Sequence, residues 1–392
     1  MFVSGPPFQR RDMIDSPHYT PEHEIFRANV RRFIERECLP HREAWQQACR
    51  PPHELWEKAG AAGLLCTKQS PEYGGAGGDL YHCMIIIEEQ TRACFNELAF
   101  YLHSDIIAPY IELYGTDDQR RRYLPKMASG EFTAAIAMTE PSGGSDLQSM
   151  RTRAVREGDH YLLTGSKTFI SNAQTADFIL VAAKTDSAAG ARGVSLLILD
   201  VADAQGFALG RNLKKIGCKV QDTSELFFDN VKIPAENLLG GVEGRGFYQM
   251  MQRLPEERLI MAMSAVVNME SAADEAIAYA KERHTFGKRL IEHQSARFTL
   301  AECKTQSVVA RAYLERCIDL FIENQFDAES GAMAKWWTTE KCCEVIDSAL
   351  QLFGGYGYMK ETPIARRWMD ARLGRIAGGT NEIMKDLIGR AL

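Results

Sequence analysis

The order of secondary-structure signals along the chain constrains its fold more than any other feature. Apolar residues recur at helical spacing from about Thr20 to Ser129, and helical spacing returns after Gly246. Between them, short apolar runs alternate with Gly, Asp and Asn, and no helical pattern separates these runs. This order excludes a βαβ sheet and predicts an α+β fold. We expect an N-terminal helical domain (1–131), a middle β-barrel-like domain (132–245) and a C-terminal helical domain (246–392).

Local signals place several elements within this order. Thr20 and Pro21 suit the cap and first turn of a helix. Helical periods are predicted over 85–102 and up to Ser129, and Gly354-Gly355 is expected to end a late helix. The β-rich region predicts strands at Tyr161–Leu163, Phe178–Ala183, Val194–Leu199 and Leu226–Phe228. Lys167–Asn172 is expected to connect two of these strands.

Composition narrows the class of protein. The 392 residues include 45% hydrophobic and 25% charged residues, and the formal net charge is −6, which argues against nucleic-acid binding. Ten cysteines without paired spacing predict reduced, mostly buried thiols and no metal site. No apolar run reaches the roughly 20 residues that span a bilayer. The first residues, MFVSGPPFQRRDMIDSP, resemble neither a secretory nor a transit peptide, so we expect a soluble cytoplasmic protein.

A glycine-containing loop at the entry to the β-rich region is a candidate ligand site. Gly143 and Gly144 allow close approach of the backbone, and the hydroxyls of Thr139 and Ser145 can donate to an acceptor. Such a loop suits the edge of a flavin ring or a phosphate. Taken alone, a plain turn is the commoner explanation, because the loop matches neither a Rossmann fingerprint nor a Walker loop.

Further segments favour a ligand site over a plain turn, because they occur in a fixed order with this loop. They are Gly165–Asn172, Arg283–Lys288 with Gln294, Gln351–Gly357 and Gly378–Ile383. Together the five motifs resemble the acyl-CoA dehydrogenase family, and the resemblance covers the chain from about residue 21 to its end. It implies a C-terminal four-helix bundle, an FAD cofactor, an acyl-CoA substrate and a homo-oligomer that is expected to be a tetramer.

The resemblance also implies individual roles. Met138 and Thr139 are expected to face the flavin ring, Phe169 to pack on it, Ser171 to hydrogen-bond it, and Ser145 to meet the pyrophosphate or ligand side of the cleft. Further cofactor residues, many contributed by a neighbouring subunit in the family, correspond to Arg283, Thr285, Phe286, Gln294, Gln351, Gly355, Thr380 and Glu382. On the substrate side, the resemblance indicates Ser145, Arg258, Gly378 and Gly379. A structural ion pair is an equal alternative for Arg258, and without the motif a salt bridge would be the commoner role of Arg283.

The position of the catalytic base departs from the commonest family pattern. Many members carry a carboxylate at the position of Gly378, which has no side chain to act as a base. Long-chain and isovaleryl-type members take the base from an earlier helix, and Leu254–Leu259 resembles that segment, with Glu257 at the base position. Glu256 is the alternative, but adjacent helical residues point about 100° apart and cannot both face one cleft. A protein without a base is the third possibility.

The resemblance implies that Glu257 removes the α-proton of a medium-chain, long-chain or branched acyl-CoA while the β-hydride passes to flavin N5. The product would be a trans-2-enoyl-CoA, and the electrons would pass to electron-transferring flavoprotein. Three alternatives stay open. An acyl-CoA oxidase would give the electrons to oxygen, a DNA-binding relative would carry a basic extension, and a non-catalytic flavin module would leave Glu257 facing solvent.

Overall fold

The computed structural model describes residues 18–202 and 204–392. The prediction about a leader peptide falls on residues 1–17 and lies outside the described residues. From residue 18 onward, the N-terminal part contains six α-helices: α1 (Pro21–Phe33), α2 (Arg42–Ala48), α3 (Glu54–Ala61), α4 (Leu80–Arg92), α5 (Ala108–Tyr114) and α6 (Asp117–Ser129). The predicted start of α1 is confirmed, because the Thr20 hydroxyl accepts from the His23 N–H.

The helix predicted over 85–102 is interrupted. Helix α4 ends at Arg92, and Cys94 and Ala99 adopt left-handed backbone angles, with φ of 54° and 53°. Non-glycine residues rarely adopt this conformation, and it cannot continue a right-handed helix. The chain then enters a wide π-helical turn, Leu102–Ile107, that leads into α5. Apolar spacing alone did not reveal this break, because the residues of the turn are also buried.

The middle part is a curled seven-stranded sheet. Its strands are β1 (Ala134–Ala137), β2 (Arg153–Glu157), β3 (His160–Ser171), β4 (Phe178–Lys184), β5 (Val194–Asp200), β6 (Phe207–Asn212) and β7 (Thr223–Pro234). The path runs β1-β4-β2-β3-β7-β6, with β5 antiparallel to β4 and β1 parallel to it. The four predicted strands are confirmed. Lys167–Ser171, however, belongs to β3 rather than to a connection, and pairs with β7 across a bulge.

The C-terminal part is built on three long helices. They are α7 (Gly246–Glu282), α8 (Gln294–Ile322) and α9 (Ala328–Leu352), followed by the shorter α10 (Pro363–Ala371) and α11 (Asn381–Ala391), which packs on α9 as a fourth helix. A short hairpin, β8 (His284–Thr285) and β9 (Lys288–Arg289), joins α7 to α8. As predicted, α9 stops before Gly354, whose φ is 57°. Within the described residues, no helix is long and apolar enough to cross a membrane.

One hydrophobic core joins the three parts of the chain. It contains Tyr110 from α5, Phe178 from β4, and Leu259 and Met263 from α7, all completely buried. Helix α7 therefore lies in the centre of the molecule, with α4 and α5 on one side and α8 and α9 on another. All ten cysteines fall in the described residues as free thiols, and seven of them are buried, which confirms the prediction of mostly buried thiols.

Candidate active site

A cavity of about 350 Å³ lies between the three parts of the chain. Seven of the residues predicted to form the site line it: Met138, Thr139, Phe169, Ser171, Glu257, Gly378 and Gly379. These residues come from the end of β1, the end of β3, helix α7 and the loop before α11. Residues as far apart as Met138 and Gly379, 241 positions along the sequence, thus line one cavity.

One face of α7 forms a long wall of this cavity. Leu254, Glu257, Met261, Ala265 and Asn268 lie three or four positions apart and therefore share one side of the helix. At 1.5 Å per residue, this wall is about 21 Å long. The other walls include the apolar side chains of Ile87, Leu102, Ile106, Ile136 and Leu147. The cavity can therefore hold an extended apolar group against α7.

Glu257 and Glu256 have opposite environments. Glu257 lines the cavity, is 8% exposed, and accepts one hydrogen bond at 3.0 Å from the Tyr110 hydroxyl to Oε1. Burial raises its pKa to about 7, against the lowering effects of Tyr110, Arg253 and Arg258. Glu256 points elsewhere, where Lys68 donates to it at 2.6 Å and Arg253 also pairs with it.

At Glu256, the effect of the ion pairs on the pKa outweighs the effect of burial. Burial acts to raise the pKa of this carboxyl, but Lys68 and Arg253 together hold the pKa below its ordinary value. Glu256 is therefore an ion-paired carboxylate that joins α7 to the loop carrying Lys68. Glu257, whose direct partner is a neutral phenol, is the carboxyl of the pair that can exchange a proton near neutral pH.

Two further carboxyls, Glu97 and Asp370, line the cavity, but both are bound to backbone. Asp370 accepts from the Cys218 N–H at 2.6 Å, and Glu97 from the Val220 N–H at 2.8 Å. Burial, with the nearby Glu97 as the second cause, raises the pKa of Asp370 to about 7. These contacts fix the loop between β6 and β7 against the helices, which is a structural role.

The loop before α11 is fixed by two buried cations. Arg258 approaches the Gly378 carbonyl at 3.5 Å, and the Lys335 ammonium donates to the Gly379 carbonyl at 2.6 Å and to Asn381 at 2.9 Å. Burial, aided by repulsion from Arg258, lowers the pKa of Lys335 to about 8. Among the described residues, the ion pairs within 4 Å do not include Arg258, whose side chain is directed to the Gly378 carbonyl instead.

Gly378 itself has little room for a side chain. Its φ is 64°, and a Cβ added there would lie 2.5 Å from the Met261 sulfur. Left-handed angles of this kind favour glycine. The space that a side chain at position 378 would need is therefore partly filled by a side chain from α7, one turn after Glu257.

The opposite wall comes from the sheet. Within the bulge of β3, Phe169 adopts a φ of 60° and is 67% exposed, so its ring turns out of the sheet and borders the cavity. A buried ion pair, Lys167 with Glu140 at 2.9 Å, holds the glycine-containing loop against β3. Lys167 also donates to the Met138 carbonyl at 3.0 Å. Strained bulky residues of this kind concentrate at functional sites.

The remaining predicted residues do not line this cavity. Exposed positions are Ser145, Arg283, Phe286, Gln294, Gln351, Gly355 and Glu382. Thr285 is half-buried beside His293, and Thr380 caps α11 through the Ile383 N–H. Arg258 is buried but acts through the loop before α11. This cavity therefore does not support direct substrate contact by Ser145.

One group with metal-binding side chains exists among the described residues, away from the cavity. His23, Asp79 and His82 bring their ligand atoms within 4.8 Å of one another. Their contacts are explained by two helix caps, because His23 accepts from the Thr20 N–H and His82 from the Asp79 N–H. The sequence predicted no metal site, and this group gives no reason to assign one.

Several residues of the site were not found from the sequence. Tyr110, Lys335 and Met261 contact Glu257 or the loop before α11, but none belongs to a recognised motif. Tyr110 is 147 positions from Glu257. The only available signal was a polar aromatic residue within an apolar helix, which is more often a core tyrosine.

Comparisons with known proteins agree with this geometry. Three family models match: the N-terminal, middle and C-terminal domains of acyl-CoA dehydrogenase, over residues 20–131, 135–231 and 244–392. The chain belongs to the acyl-CoA dehydrogenase family. The family resemblance predicted from the motifs and the α+β fold predicted from the order of helices and strands are thereby confirmed.

Individual relatives of this acyl-CoA dehydrogenase are similar over nearly its whole length. The long-chain specific mitochondrial enzyme of Sus scrofa is 45% identical, covering 95% of this chain and 87% of that protein. The crystal structure of an acyl-CoA dehydrogenase from Geobacillus kaustophilus has a TM-score of 0.93 at 43% identity, covering 96% and 99%. A glutaryl-CoA dehydrogenase from Mycobacterium smegmatis, solved in complex with FADH2, has a TM-score of 0.87 at 25% identity, covering 95% of each chain. The activity of this chain is dehydrogenation of an acyl-CoA.

Proposed function

We propose that this acyl-CoA dehydrogenase uses Glu257 as its base and acts on medium-chain, long-chain or branched acyl-CoA. The observation that carries the proposal is the pair of adjacent glutamates, of which Glu256 is ion-paired and Glu257 faces the cavity beside Gly378. A general base works best when its pKa lies near the working pH. The pKa of Glu257, about 7, meets that requirement.

The roles of the neighbouring groups follow from the same chemistry. The C–H bond at the α carbon breaks and an O–H bond forms on Glu257, so negative charge develops towards the thioester oxygen. A backbone N–H at Gly378 is proposed to donate to that oxygen, since fixed donors stabilise such charge. The apolar wall along α7 would exclude water and accept the acyl chain. The length of this wall favours a long or branched acyl group over a short linear one.

The residues around the cavity fit FAD as the cofactor. Phe169 presents an aromatic face, and Thr139 and Ser171 present hydroxyls at the same wall, which suits a planar ring with polar edges. We assign this wall, together with Met138, to the flavin ring. The FADH2 of the Mycobacterium smegmatis structure supports the assignment. When bound, FAD would supply the acceptor for the β-hydride and pass electrons to electron-transferring flavoprotein.

A homotetramer is part of this proposal. Phe286 at the tip of the β8–β9 hairpin is 98% exposed and Tyr358 is 88% exposed, and both lie near the exposed positions predicted to bind cofactor across subunits. Exposed apolar groups of this kind mark interaction surfaces. A molar mass by light scattering near that of one chain would contradict this assembly.

A cytoplasmic location is also proposed, supported by the ten free cysteines.

Anaerobic mixing of the flavin-loaded enzyme with octanoyl-, palmitoyl- and isovaleryl-CoA tests the central claim. The wild type is expected to lose flavin absorbance, and Glu257→Gln to be slower by roughly 10² to 10⁴, the contribution of a general base. Glu256→Gln is the matched control and should keep most of the rate. Equal bleaching by wild type and Glu257→Gln would contradict the assignment. Stoichiometric hydrogen peroxide in air would instead favour an oxidase.

A further inference from the structure

Tyr110 is a buried polar side chain directed at the proposed base. It lies in the first turn of α5, directly after Pro109, and none of its surface is exposed. Its hydroxyl donates to Glu257 Oε1 at 3.0 Å. Burial of a hydroxyl without a hydrogen-bond partner is unfavourable, so this bond determines how the phenol and the carboxylate sit together.

The other groups around Glu257 are engaged elsewhere. Arg253 pairs with Glu256, and Arg258 is directed to the Gly378 carbonyl. Tyr114, one turn along α5, donates to Gln252 at 3.0 Å. Within residues 18–202 and 204–392, the direct hydrogen bond recorded for the Glu257 carboxylate is therefore the one from Tyr110.

We propose that Tyr110 is a positioning residue for the base: its hydroxyl holds Oε1 and leaves Oε2 to meet the α carbon of the substrate. This inference rests on the proposed function of Glu257. During the reaction the proton forms its new O–H bond on Oε2, and Oε1 becomes the carbonyl oxygen of the acid while it keeps the bond from Tyr110. The Tyr110 phenol itself neither gains nor loses a proton.

Two properties suit Tyr110 to this role. Burial, and then the charge of Glu257, raise the pKa of the Tyr110 phenol well above its ordinary value, so the hydroxyl stays a donor at any working pH. Its hydrogen bond also lowers the pKa of Glu257 against the effect of burial. Since a hydrogen bond to a charged form favours that form, Tyr110 keeps the base ionised at lower pH than burial alone would allow.

The test is the pH dependence of flavin reduction in the flavin-loaded Tyr110→Phe variant. Loss of the donor is expected to shift the acidic limb of the pH–rate profile to higher pH by about one unit. The rate near pH 6 should therefore fall roughly tenfold more than the rate near pH 9. Tyr110→Met, which also removes the hydroxyl but refills the core differently, should give the same shift. Tyr114→Phe is the matched control and should leave the limb in place.

The outcomes separate this inference from the function on which it rests. Undiminished flavin reduction by Glu257→Gln would overturn the proposed function and this inference with it. If Glu257→Gln loses the rate as expected but Tyr110→Phe and Tyr110→Met keep the wild-type limb, the positioning role alone is overturned. A further rate loss when Tyr110→Phe is added to Glu257→Gln would also overturn it, because no carboxylate then remains to be positioned.

Discussion

Glu256 and Glu257 show how two adjacent identical residues acquire different chemistry. Lys68 and Arg253 stabilise the charge on Glu256, whereas Glu257 has a neutral donor and an apolar cavity. The difference arises from the rotation of about 100° between neighbouring helical positions. At this scale, charge partners rather than residue type decide which carboxyl can act as an acid and a base.

The raised pKa of Glu257 has a consequence for stability. Its folded value of about 7 exceeds its ordinary 4.5, so the folded state binds this proton more tightly. The stability that this carboxyl contributes is complete below about pH 4.5 and is lost as the pH rises through 7. Glu257→Gln removes that loss, and we expect its free energy of unfolding at pH 8 to exceed that of wild type by up to about 3 kcal/mol.

Urea unfolding at pH 5 and pH 8 would measure this difference. The gain should shrink at the lower pH, where Glu257 is protonated in the folded protein. Glu361→Gln, at an exposed position, is the control and should change little at either pH. A gain that is independent of pH would show that it does not come from the buried charge.

At the scale of elements, the contact between α7 and α9 sets the position of Glu257. Gly331 of α9 faces Pro255 of α7, and an added Cβ would lie 3.0 Å from the Pro255 Cα. Gly331→Leu should push the two helices apart, destabilise the protein by about 1–3 kcal/mol and slow flavin reduction, because Glu257 lies two residues after Pro255. Denaturant unfolding and stopped-flow reduction would measure the two effects.

Gly389 of α11 provides the control for this substitution. It is exposed, and nothing lies within 4 Å of an added Cβ. Gly389→Ala is therefore expected to be neutral or stabilising by less than about 1 kcal/mol, since alanine favours helix. If Gly331→Leu proved as harmless as Gly389→Ala, close packing at Pro255 would not explain the glycine.

The elements also show what the sequence could and could not predict. Helical spacing identified the region of α7, α8 and α9 without dividing it at each helix end, and apolar runs identified β4 and β5, whose residues are almost all buried. Strands β2 and β6 were missed because they lie at the surface, with Ala154 as the one buried residue of β2. Glu257 was found through motif resemblance, whereas Tyr110 and Lys335 act through distant contacts that leave no local pattern.

At the scale of the whole molecule, buried arginines connect the helical parts. Arg367 of α10 donates to the carbonyls of Thr91 and Arg92 at the end of α4, and to Asn268 and Glu275 of α7. It is 1% exposed. These bonds join the N-terminal and C-terminal helices beside the cavity.

Arg367→Met should therefore destabilise the protein by about 3–5 kcal/mol, because two buried carbonyls lose their donor and the partly exposed Glu275 loses its ion pair. Guanidinium unfolding would measure the change. Arg390, paired with Asp386 at the surface, is the control, and Arg390→Met should cost no more than about 1 kcal/mol. Equal effects of the two substitutions would contradict a connecting role for Arg367.

The sulfur of Met261 beside Gly378 has a consequence for the family as a whole. A side chain at position 378 would have to displace the thioether of Met261 on α7 and adopt a left-handed backbone angle. Relatives with an acidic residue there are therefore expected to have a smaller side chain at the position of Met261. The residues at positions 261 and 378 should therefore covary across the family, although the residue at 261 takes no part in proton transfer.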